Sequence, residues 1–303
     1  MKQFTIENGK LKEMKLNSFK LEKEIQTLCE NNMKELLGLT FISGEFTVSN
    51  NFRIDSLAFD EENKSFVIIE YKMKENFSII DQGYAYLSIM LDNKADFILE
   101  YNEKMNKRLR RDDIDWSQSK IIFIAPSFNK FQLETLNFKD VPFEVYKINK
   151  YEKDYITFER IKGNRNVSIK QFVDNKNIDK VSREIKVYTE DDHLNRVSSK
   201  ARELYNGLKE RVLELDNVDI EPKKQYIAFK GDKNIVDIEV QKEQLKVYIN
   251  MKKKELDDPK NMARDVSNIG HWGNGDYEIR LTTLEKIDYL MFLIKQSWEK
   301  NKK

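Results

Sequence analysis

Residues 52–72 have the sequence FRIDSLAFDEENKSFVIIEYK, and this stretch decides the fold. Two runs rich in β-branched and aromatic residues flank the polar sequence EENK, a pattern that predicts an antiparallel β-hairpin. If the turn centres on residues 62 and 63, the numbers of paired residues sum to 125. Asp55 and Glu70 then lie opposite one another on one face, with Cβ atoms about 4.5–5.5 Å apart. Lys72 follows two residues later, on the same face as Glu70.

Two carboxylates that face each other on apolar strands repel, unless a proton, a cation or a metal lies between them. A divalent ion beside a lysine is the arrangement that phosphodiester hydrolysis needs, because the metal neutralises the phosphate and lowers the pKa of a bound water. Lys72 would orient that water or offset developing negative charge. The alternative is an ordinary surface hairpin, in which Asp55 and Glu70 pair with Arg53 and Lys72. The spacing alone favours neither interpretation.

The wider pattern favours the first interpretation. RID at 53–55, a gap of 14 residues and EYK at 70–72 resemble the catalytic core of the PD-(D/E)XK nuclease superfamily, especially the nuclease domain of NucS-like endonucleases. The resemblance runs from about Leu21 to Tyr101, and includes LEKEIQTLCENNMKELLGLTFISGEF before the hairpin and DQGYAYLSIMLDNKADFIL after it. It implies a metal-dependent DNA endonuclease that uses Mg²⁺ or Mn²⁺, in DNA repair or in defence against foreign DNA. DNA is the expected partner, and RNA is not excluded.

The resemblance assigns roles to residues by position. Asp55 and Glu70 match metal ligands, the carbonyl of Tyr71 matches a third ligand, and Lys72 matches the catalytic lysine. Ile54 stands where the motif's name has proline, a departure that is common in this branch. The separate N-terminal DNA-binding domain of the NucS-like proteins has no counterpart here, so their substrate specificity does not carry over.

Three residues on the flanking helices also match the pattern. Glu22 corresponds to a glutamate of the first helix that usually binds the metal through water. Its alternative role is that of an acidic residue favouring a helix N-terminus. Gln82 and Tyr86 correspond to a Gln and a Tyr beside the site, and their i, i+4 spacing puts both on one helical face. The alternative to an enzyme is a nuclease fold that binds nucleic acid or protein without cutting, but an intact Asp55, Glu70 and Lys72 set argues against it.

Composition limits the kind of metal centre and the way in which nucleic acid is held. The chain of 303 residues has 53 Lys and Arg against 52 Asp and Glu, a net charge of +1. A nucleic acid must therefore be held by a local patch or a bound cation. One cysteine and two histidines exclude Cys-rich and His-rich centres, so a divalent ion is held mainly by carboxylates, which favours Mg²⁺ or Mn²⁺.

Two charged features have open alternatives. The run KMNKRLRR at 104–111 holds five basic residues and no acid. It could bind phosphates, or it could be a solvated loop balanced by Asp112, Asp113 and Asp115, which is the commoner outcome for a charge run. Glu45 could be an additional acidic group near the site, or a surface residue of an edge strand.

Hydrophobic periodicity places the remaining elements. Strands in the first half are predicted at 4–6, 45–49, 95–101, 120–125 and 143–160. Helices there are predicted at 19–37, 77–91 and 131–137. The second half is predicted to contain helix 192–215, strands 226–229, 235–240, 245–249 and 277–281, and a final helix from Thr283. The expected fold class is therefore α/β, a restriction-endonuclease-like mixed sheet flanked by helices, plus a smaller C-terminal α+β domain.

We expect a nuclease-like domain over 1–162, a polar junction over 163–184 and a C-terminal domain over 185–303. From about Tyr188 the sequences TEDDHLNRVSSKARELY, KKQYIAFK, DIEVQKEQLKVYIN and DVSNIGHWGNGDYEIRL resemble a domain of unknown function that follows such nuclease cores, in chains also labelled predicted transport proteins. Within it, His271 and Trp272 could offer a stacking platform for a base, or the turn could simply pack its Trp on the core.

No secretory signal or membrane-spanning run is present in the sequence. A soluble, cytoplasmic protein with no membrane partner is therefore expected, and a homodimer is compatible with the sequence. The substrate form, the pathway and the role of the second domain do not follow from the sequence.

Overall fold

The computed structural model describes residues 2–48, 52–74, 78–164, 167–169, 176–231 and 233–301. The chain forms two compact units, Met1–Val187 and Tyr188–Lys303. The strands of the first unit are β1 (Phe4–Glu7), β2 (Lys10–Glu13), β3 (Thr40–Val48), β4 (Phe52–Asp60), β5 (Ser65–Tyr71), β6 (Lys120–Ala125), β7 (Phe143–Lys150) and β8 (Ile156–Ile161). Its helices are α1 (Glu22–Asn31), α2 (Met33–Leu37), α3 (Ile79–Asp92), α4 (Lys94–Met105), α5 (Lys130–Glu134) and α6 (Lys176–Glu184).

The first unit is built on a six-stranded mixed sheet of order β3-β4-β5-β6-β7-β8. Strands β3, β4 and β5 run antiparallel, β5, β6 and β7 run parallel, and β8 returns antiparallel to β7. Helices cover both faces, so the predicted α/β class with a mixed sheet flanked by helices is confirmed. The central strands β5 and β6 are mostly apolar and almost wholly buried, as strands covered on both faces are, whereas β7 alternates buried and partly exposed residues near its start.

The hairpin of β4 and β5 has the predicted register. Ser56 pairs with Ile69 and Asp60 pairs with Ser65, so the numbers of paired residues sum to 125 as expected. Asp60 fixes the turn, because its Oδ1 accepts hydrogen bonds from the backbone N–H groups of residues 62 and 63, each at 3.0 Å. A short polar side chain that bonds the backbone two residues on is a common turn former, and here it sets the position of every later residue of β5.

Each face of the sheet has its own core. Ile25, Cys29 and Met33 of α1 and α2 pack on one face against residues such as Ile69 and Ile122, so the single cysteine is a buried core residue. The opposite face, on which Leu57, Phe59, Phe66 and Ile68 lie, is covered by α3, α4 and α6. Because strand residues alternate between faces, Glu70 belongs with this second set. The alternation of β4 is interrupted at Asp55, since Ile54 and Leu57 on either side of it both lie in this core.

The prediction of a buried strand at 95–101 is wrong, because these residues form part of helix α4. The buried residues are Phe97 and Tyr101, four positions apart, while Leu99 between them is 57% exposed. That is the spacing of one helical face. A short apolar run such as FIL does not distinguish a strand from a buried helix segment, and only the packing against β3 and β5 decides it.

Two predicted helices are each divided in two. The helix predicted at 19–37 is α1 and α2, which are separated at Asn32, the C-cap of the first and N-cap of the second. The helix predicted at 192–215 is α7 (Glu190–Leu194) and α8 (Ser199–Leu213). Ser198 begins α8 by accepting a hydrogen bond from the backbone N–H of Ala201 at 3.1 Å, which is N-cap geometry.

The second unit is a small α+β domain, as predicted. Its strands are β9 (Asp219–Pro222), β10 (Ile227–Lys230), β11 (Asn234–Val240), β12 (Leu245–Ile249), β13 (Arg264–Asp265) and β14 (Tyr277–Leu281), and its final helix is α9 (Ile287–Asn301). They form one antiparallel sheet of order β13-β14-β12-β11-β10-β9. Helices α8 and α9 pack with its apolar side chains into a single core.

The glycine-rich turn of this unit does not place its tryptophan in the core. Trp272 is 63% exposed, while His271 stacks on Tyr248 with ring centroids 5.2 Å apart. Gly273 is required next to this stack, because a Cβ there would meet the Tyr248 ring at 2.4 Å. The expectation that Trp272 packs on the domain core is therefore wrong.

Helix α6 lies in the segment 163–184, to which the sequence assigned a polar junction, and it belongs to the first unit. Its Ile178 and Val181 are buried in the same core as α3. Lys180 forms an ion pair with Asp92 at the C-terminal end of α3. The segment thus contains a packed helix with one apolar stripe, which the predominance of polar residues concealed.

Candidate metal-dependent site

The candidate site lies where β4 and β5 part from one another. Asp55 and Glu70 continue the confirmed register one step beyond the pair of Ser56 and Ile69. The backbone N–H of Tyr71 donates a hydrogen bond to Asp55 Oδ2 at 3.1 Å, which fixes the Asp55 carboxylate across the gap between the strands. The structure therefore brings together the two carboxylates and the main-chain N–H of Tyr71.

Lys72 is held against Glu70. Its Nζ donates to Glu70 Oε1 at 2.5 Å, and the side chains of the two residues are 18% and 4% exposed. The other oxygen of this carboxylate, Glu70 Oε2, is buried and has no hydrogen-bond partner within the described part of the chain. A buried carboxylate oxygen without a partner is unfavourable. Glu70 Oε2 is therefore the atom of the site that a bound cation would stabilise.

The environment disfavours negative charge on both acids. Burial raises the pKa of Glu70 to about 7, and the negative charge of Asp55 adds to this effect, while Lys72 and Tyr86 oppose it. Burial also raises the pKa of Asp55, against the opposing effects of the Tyr71 N–H and of Lys72. One lysine therefore does not compensate two buried carboxylates, and a further cation between them would.

Helix α3 covers the site with the two residues predicted from the resemblance. Tyr86 lies close enough to Glu70 for each to shift the other: burial, and then the charge of Glu70, raise the pKa of the Tyr86 phenol. The Tyr86 ring packs edge-on against Phe52 at the start of β4, with centroids 4.7 Å apart. Gln82, one turn earlier, has a buried Oε1 without a hydrogen-bond partner among the described residues.

Helix α1 reaches the same end of the hairpin with a polar stripe at residues 22, 26 and 30. Glu22 Oε2 accepts a hydrogen bond from the backbone N–H of Met73 at 3.1 Å, directly after Lys72. Gln26 Nε2 donates to the backbone carbonyl of Asp55 at 2.8 Å. Glu30 Oε1 accepts from Ser56 Oγ at 2.7 Å. The stripe holds β4 in place beside the site.

Sequence reasoning found only the first member of this stripe. Glu22 was assigned from the resemblance, whereas Gln26, which is 4% exposed, and Glu30 were not. The signal was available, because polar residues at i, i+4 and i+8 interrupt one face of an otherwise apolar helix. Gly44 shows how tight this packing is, since a Cβ at that position would meet Glu30 Oε1 at 2.5 Å.

A third acid, Glu45, lies on the edge strand β3 next to Asp55. Gly44 pairs with Ser56 and Phe46 pairs with Ile54, so Glu45 is at the level of Asp55, and its negative charge contributes to the raised pKa of that residue. Lys23 and Arg53 each form an ion pair with Glu45 at 2.9 Å. Glu45 is therefore both an edge-strand residue and an acid close to the site. Its backbone has a φ of 56°, which no sequence pattern indicated.

The donor set fits a hard divalent cation. Glu70 Oε2 lacks a partner and Asp55 Oδ1 takes part in no hydrogen bond within the described residues, so each acid offers one oxygen. The backbone carbonyl of Tyr71 is adjacent in sequence. No group of three or more His, Cys, Asp or Glu side chains in the described ranges is placed to hold a metal ion, and Glu22 is not a third member. Mg²⁺ usually keeps several waters and binds only one or two carboxylates, which suits a set of this size.

The raised pKa of Glu70 has a consequence for stability without metal. Because its pKa rises from 4.5 to about 7 on folding, the folded protein holds a proton that the unfolded chain releases, and wild-type stability falls as pH rises through that window. Glu70→Gln has no such proton to lose. In EDTA, we expect the stability of Glu70→Gln relative to wild type to increase between pH 5 and pH 8, by on the order of 1–3 kcal/mol.

Urea denaturation at several pH values measures this difference. Glu62→Gln, at the exposed turn of the same hairpin, is the control and should show no pH-dependent difference. A stability difference between Glu70→Gln and wild type that stays constant across the window would contradict the assignment of Glu70 as a buried, proton-binding acid.

Two comparisons with sequences found matches, one to the second unit and one to nearly the whole chain. A family model described as a domain of unknown function, DUF5655, matches residues 190–301. This confirms that the second half resembles a domain of unknown function. A Haemophilus influenzae protein with the curated name "Uncharacterized protein" is 49% identical over 300 residues, which cover 98% of this chain and 99% of that protein. The chain belongs to the family of this Haemophilus protein. The match includes both units of the chain.

Two solved structures are similar to parts of the chain. A repair endonuclease from Pyrococcus abyssi has 16% identity and a TM-score of 0.23, over 40% of this chain and 44% of that one. Pyrococcus furiosus SfsA in complex with Ca²⁺ has 15% identity and a TM-score of 0.26, over 54% of this chain and 76% of that one. Similarities of this size do not support a functional argument. Within the described residues, no helix combines the length and apolar character needed to cross a membrane.

Proposed function

We propose that this protein is a metal-dependent DNA endonuclease that hydrolyses phosphodiester bonds. The observation that carries the proposal is the pair Asp55 and Glu70, with Glu70 Oε2 buried and unpartnered and Lys72 Nζ 2.5 Å from Glu70 Oε1. Lys72 satisfies one oxygen of Glu70, and the buried second oxygen is available to a cation. The NucS-like resemblance and a role in DNA repair or defence are part of the same proposal.

Asp55, Glu70 and the carbonyl of Tyr71 would hold Mg²⁺ or Mn²⁺, with Glu22 contributing through water. When bound, such an ion neutralises the scissile phosphate and makes water a stronger nucleophile at neutral pH. Oxygen ligands of this kind suit hard cations. Ion binding would also stabilise the charged form of both acids, since opposite charge lowers the pKa of a carboxylate.

The other side chains hold this arrangement in place. Lys72 supplies a fixed positive charge beside the carboxylates, where it can stabilise the negative charge that develops on the phosphate. Gln26 fixes the backbone of Asp55, and Tyr86 closes the site from the α3 side. Such positioning matters because a displacement of about 1 Å in a catalytic group can cost about a hundredfold in rate.

The direct test is cleavage of end-labelled duplex, single-stranded, flapped and mismatched DNA, and of matched RNA, in Mg²⁺, Mn²⁺ or EDTA. We expect cleavage of at least one form with metal and none in EDTA. Asp55→Asn, Glu70→Gln is the control that separates the enzyme from a contaminating nuclease. Metal-independent binding without cleavage of any form would favour a non-catalytic binding module instead.

Metal binding should also be visible without substrate. An ion that binds only the folded state stabilises it by about 2.7 kcal/mol at a concentration about a hundred times its Kd. We therefore expect Mg²⁺ or Mn²⁺ to raise the Tm of the wild type. The Asp55→Asn, Glu70→Gln variant should lose this response, because neutral amides are poor ligands for hard cations. Equal Tm shifts in both proteins would place the ion elsewhere.

A further inference from the structure

A basic segment follows helix α4 at the far end of the hairpin from Asp55. Four of its cations are exposed and form no ion pair within the described residues; they are Lys104, Arg108, Arg110 and Arg111. We call these four residues the arginine patch. Lys107 is not included, because it lies over the Tyr101 ring at 5.9 Å and 3.6 Å from Glu61.

Within the described residues, no ion pair joins the nearby aspartates to the arginine patch. Asp113 Oδ2 accepts the backbone N–H of Arg110 at 2.9 Å. Asp115 Oδ1 accepts the N–H and the hydroxyl of Ser117, at 3.1 and 2.6 Å. Asp112 is exposed and has no ion-pair partner in the described part of the chain. Two of the three aspartates therefore stabilise local backbone turns and leave the arginine side chains without a direct carboxylate partner in the described residues.

The segment that carries the patch is held in one conformation. Asn102 makes two hydrogen bonds to the backbone of Leu109: Leu109 N–H donates to Oδ1 at 2.6 Å, and Nδ2 donates to the Leu109 carbonyl at 3.1 Å. Leu109 itself packs against the core below. With Leu109 directed inward, its neighbours Arg108 and Arg110 remain at the surface, so a ligand that binds them need not order the backbone of this segment.

The patch lies on the same side of the sheet as the candidate site. A surface groove of about 550 Å³ is lined by Phe59 of β4, by Arg108 and Leu109 of the segment, and by the acids Glu61 and Asp113. Phe59 is four residues from Asp55 along β4, a distance of about 13 Å. The successive phosphates of one strand rise by about 3.4 Å along the axis of a duplex, so a duplex that reaches both points spans several nucleotides between them.

We propose that the arginine patch binds the phosphate backbone of the DNA duplex whose scissile phosphate lies at Asp55 and Glu70. The inference rests on the proposed function for the position of that phosphate. Guanidinium groups bind phosphate oxygens in a bidentate manner, and unpaired arginines add a salt-dependent affinity that is independent of sequence. Because the whole chain has a net charge of only +1, this local concentration supplies the attraction that the overall charge does not.

The test compares Arg108→Ala, Arg110→Ala, Arg111→Ala with a charge-matched control, Lys10→Ala, Lys34→Ala, Lys200→Ala. The three control lysines are exposed, unpaired in the described residues and scattered over separate elements. Fluorescence anisotropy follows binding of a labelled duplex of about two helical turns in EDTA, over a range of salt concentrations. We expect the patch variant to lose about 2.7 from the slope of log K against log salt, and at least about tenfold in affinity at 0.1 M salt. The control should remain near wild type.

A third variant tests whether charge or local structure is responsible. Arg108→Lys, Arg110→Lys, Arg111→Lys keeps the charges and should retain most of the salt slope. Wild-type affinity and slope in the alanine variant would overturn the proposal, as would an equal loss in the scattered control. The same would follow if the lysine variant lost as much salt slope as the alanine variant.

The experiments distinguish failure of the DNA-binding proposal from failure of the proposed enzyme activity. If the wild type cleaves DNA with metal and the patch substitutions have no effect, the DNA-binding role of the patch is wrong and the enzyme activity stands. If the wild type binds DNA through the patch but never cleaves it, the enzyme activity is wrong and the DNA-binding role stands. If the wild type neither binds nor cleaves DNA, both proposals are wrong. If the patch binds anionic lipid vesicles and not DNA, the proposal of a DNA-binding patch is wrong and the patch binds membrane surfaces instead.

Discussion

Asp55→Ala and Glu70→Ala are each expected to lower metal-dependent cleavage by at least about a thousandfold. Each substitution removes a ligand of the proposed ion, and loss of several kcal/mol of transition-state stabilisation corresponds to rate losses of this order. The folds should stay intact, because each change also relieves repulsion between the two acids. Single-turnover cleavage of the best DNA form from the substrate panel, with urea denaturation in EDTA alongside, measures both effects.

The control for these variants is Glu62→Ala, an acid on the same hairpin that is exposed at its turn. It should cleave at the wild-type rate. Stability in EDTA separates loss of chemistry from loss of structure: Asp55→Ala and Glu70→Ala should be at least as stable as wild type at pH 8. Cleavage at the wild-type rate by both variants would place the active site elsewhere in the chain.

The site could be predicted from the sequence because the hairpin specifies its own register. A shift of one residue would move every apolar side chain of β5 to the opposite face, and Asp60 independently fixes the turn through its bonds to residues 62 and 63. Two local signals, the alternation and the turn, therefore agree. Asp55, Glu70 and Lys72 could be placed relative to one another without any knowledge of the rest of the fold.

What surrounds the site depends on tertiary packing and could not be predicted in the same way. Helix α4 was predicted as a strand, because FIL is equally apolar in either state and only its neighbours decide between them. Gln26 and Glu30 were missed because a search for apolar periodicity does not consider polar residues on a buried helix face. In the fold, Gln26 binds the backbone of Asp55 and Glu30 binds the side chain of Ser56.

The charges illustrate the same limit. From the sequence, Asp112, Asp113 and Asp115 look like counterions for the arginines that precede them. In the fold, the last two are occupied by backbone N–H groups at 2.9 and 3.1 Å. A count of charges along the chain cannot show which acids are already hydrogen-bonded to the backbone, so the unpaired state of Arg108 and Arg110 is visible only in three dimensions.

Lys72→Ala is expected to reduce cleavage by at least about a hundredfold while leaving metal binding and DNA affinity largely in place. The Lys72 ammonium is not a metal ligand, so the metal-induced rise in Tm should persist. What the substitution removes is a positive charge beside the attacking water and the scissile phosphate, whose effect is greatest in the transition state, and single groups of this kind contribute about 10²–10³ in rate. DNA affinity in Ca²⁺, which often supports binding without turnover in the superfamily that the chain resembles, should fall by no more than one phosphate contact.

The matched control is Lys64→Ala, which removes a lysine from the same hairpin at its exposed end, where Lys64 pairs with Glu61 at 3.1 Å. It should leave the cleavage rate unchanged. Rate and affinity are measured on one labelled duplex at fixed salt, so that the two effects are compared directly. If Lys72→Ala weakens DNA binding by as much as it slows cleavage, Lys72 acts in binding the substrate and not in the chemical step. If neither quantity changes, its contact with Glu70 is structural only, and the proposed catalytic role of Lys72 is wrong.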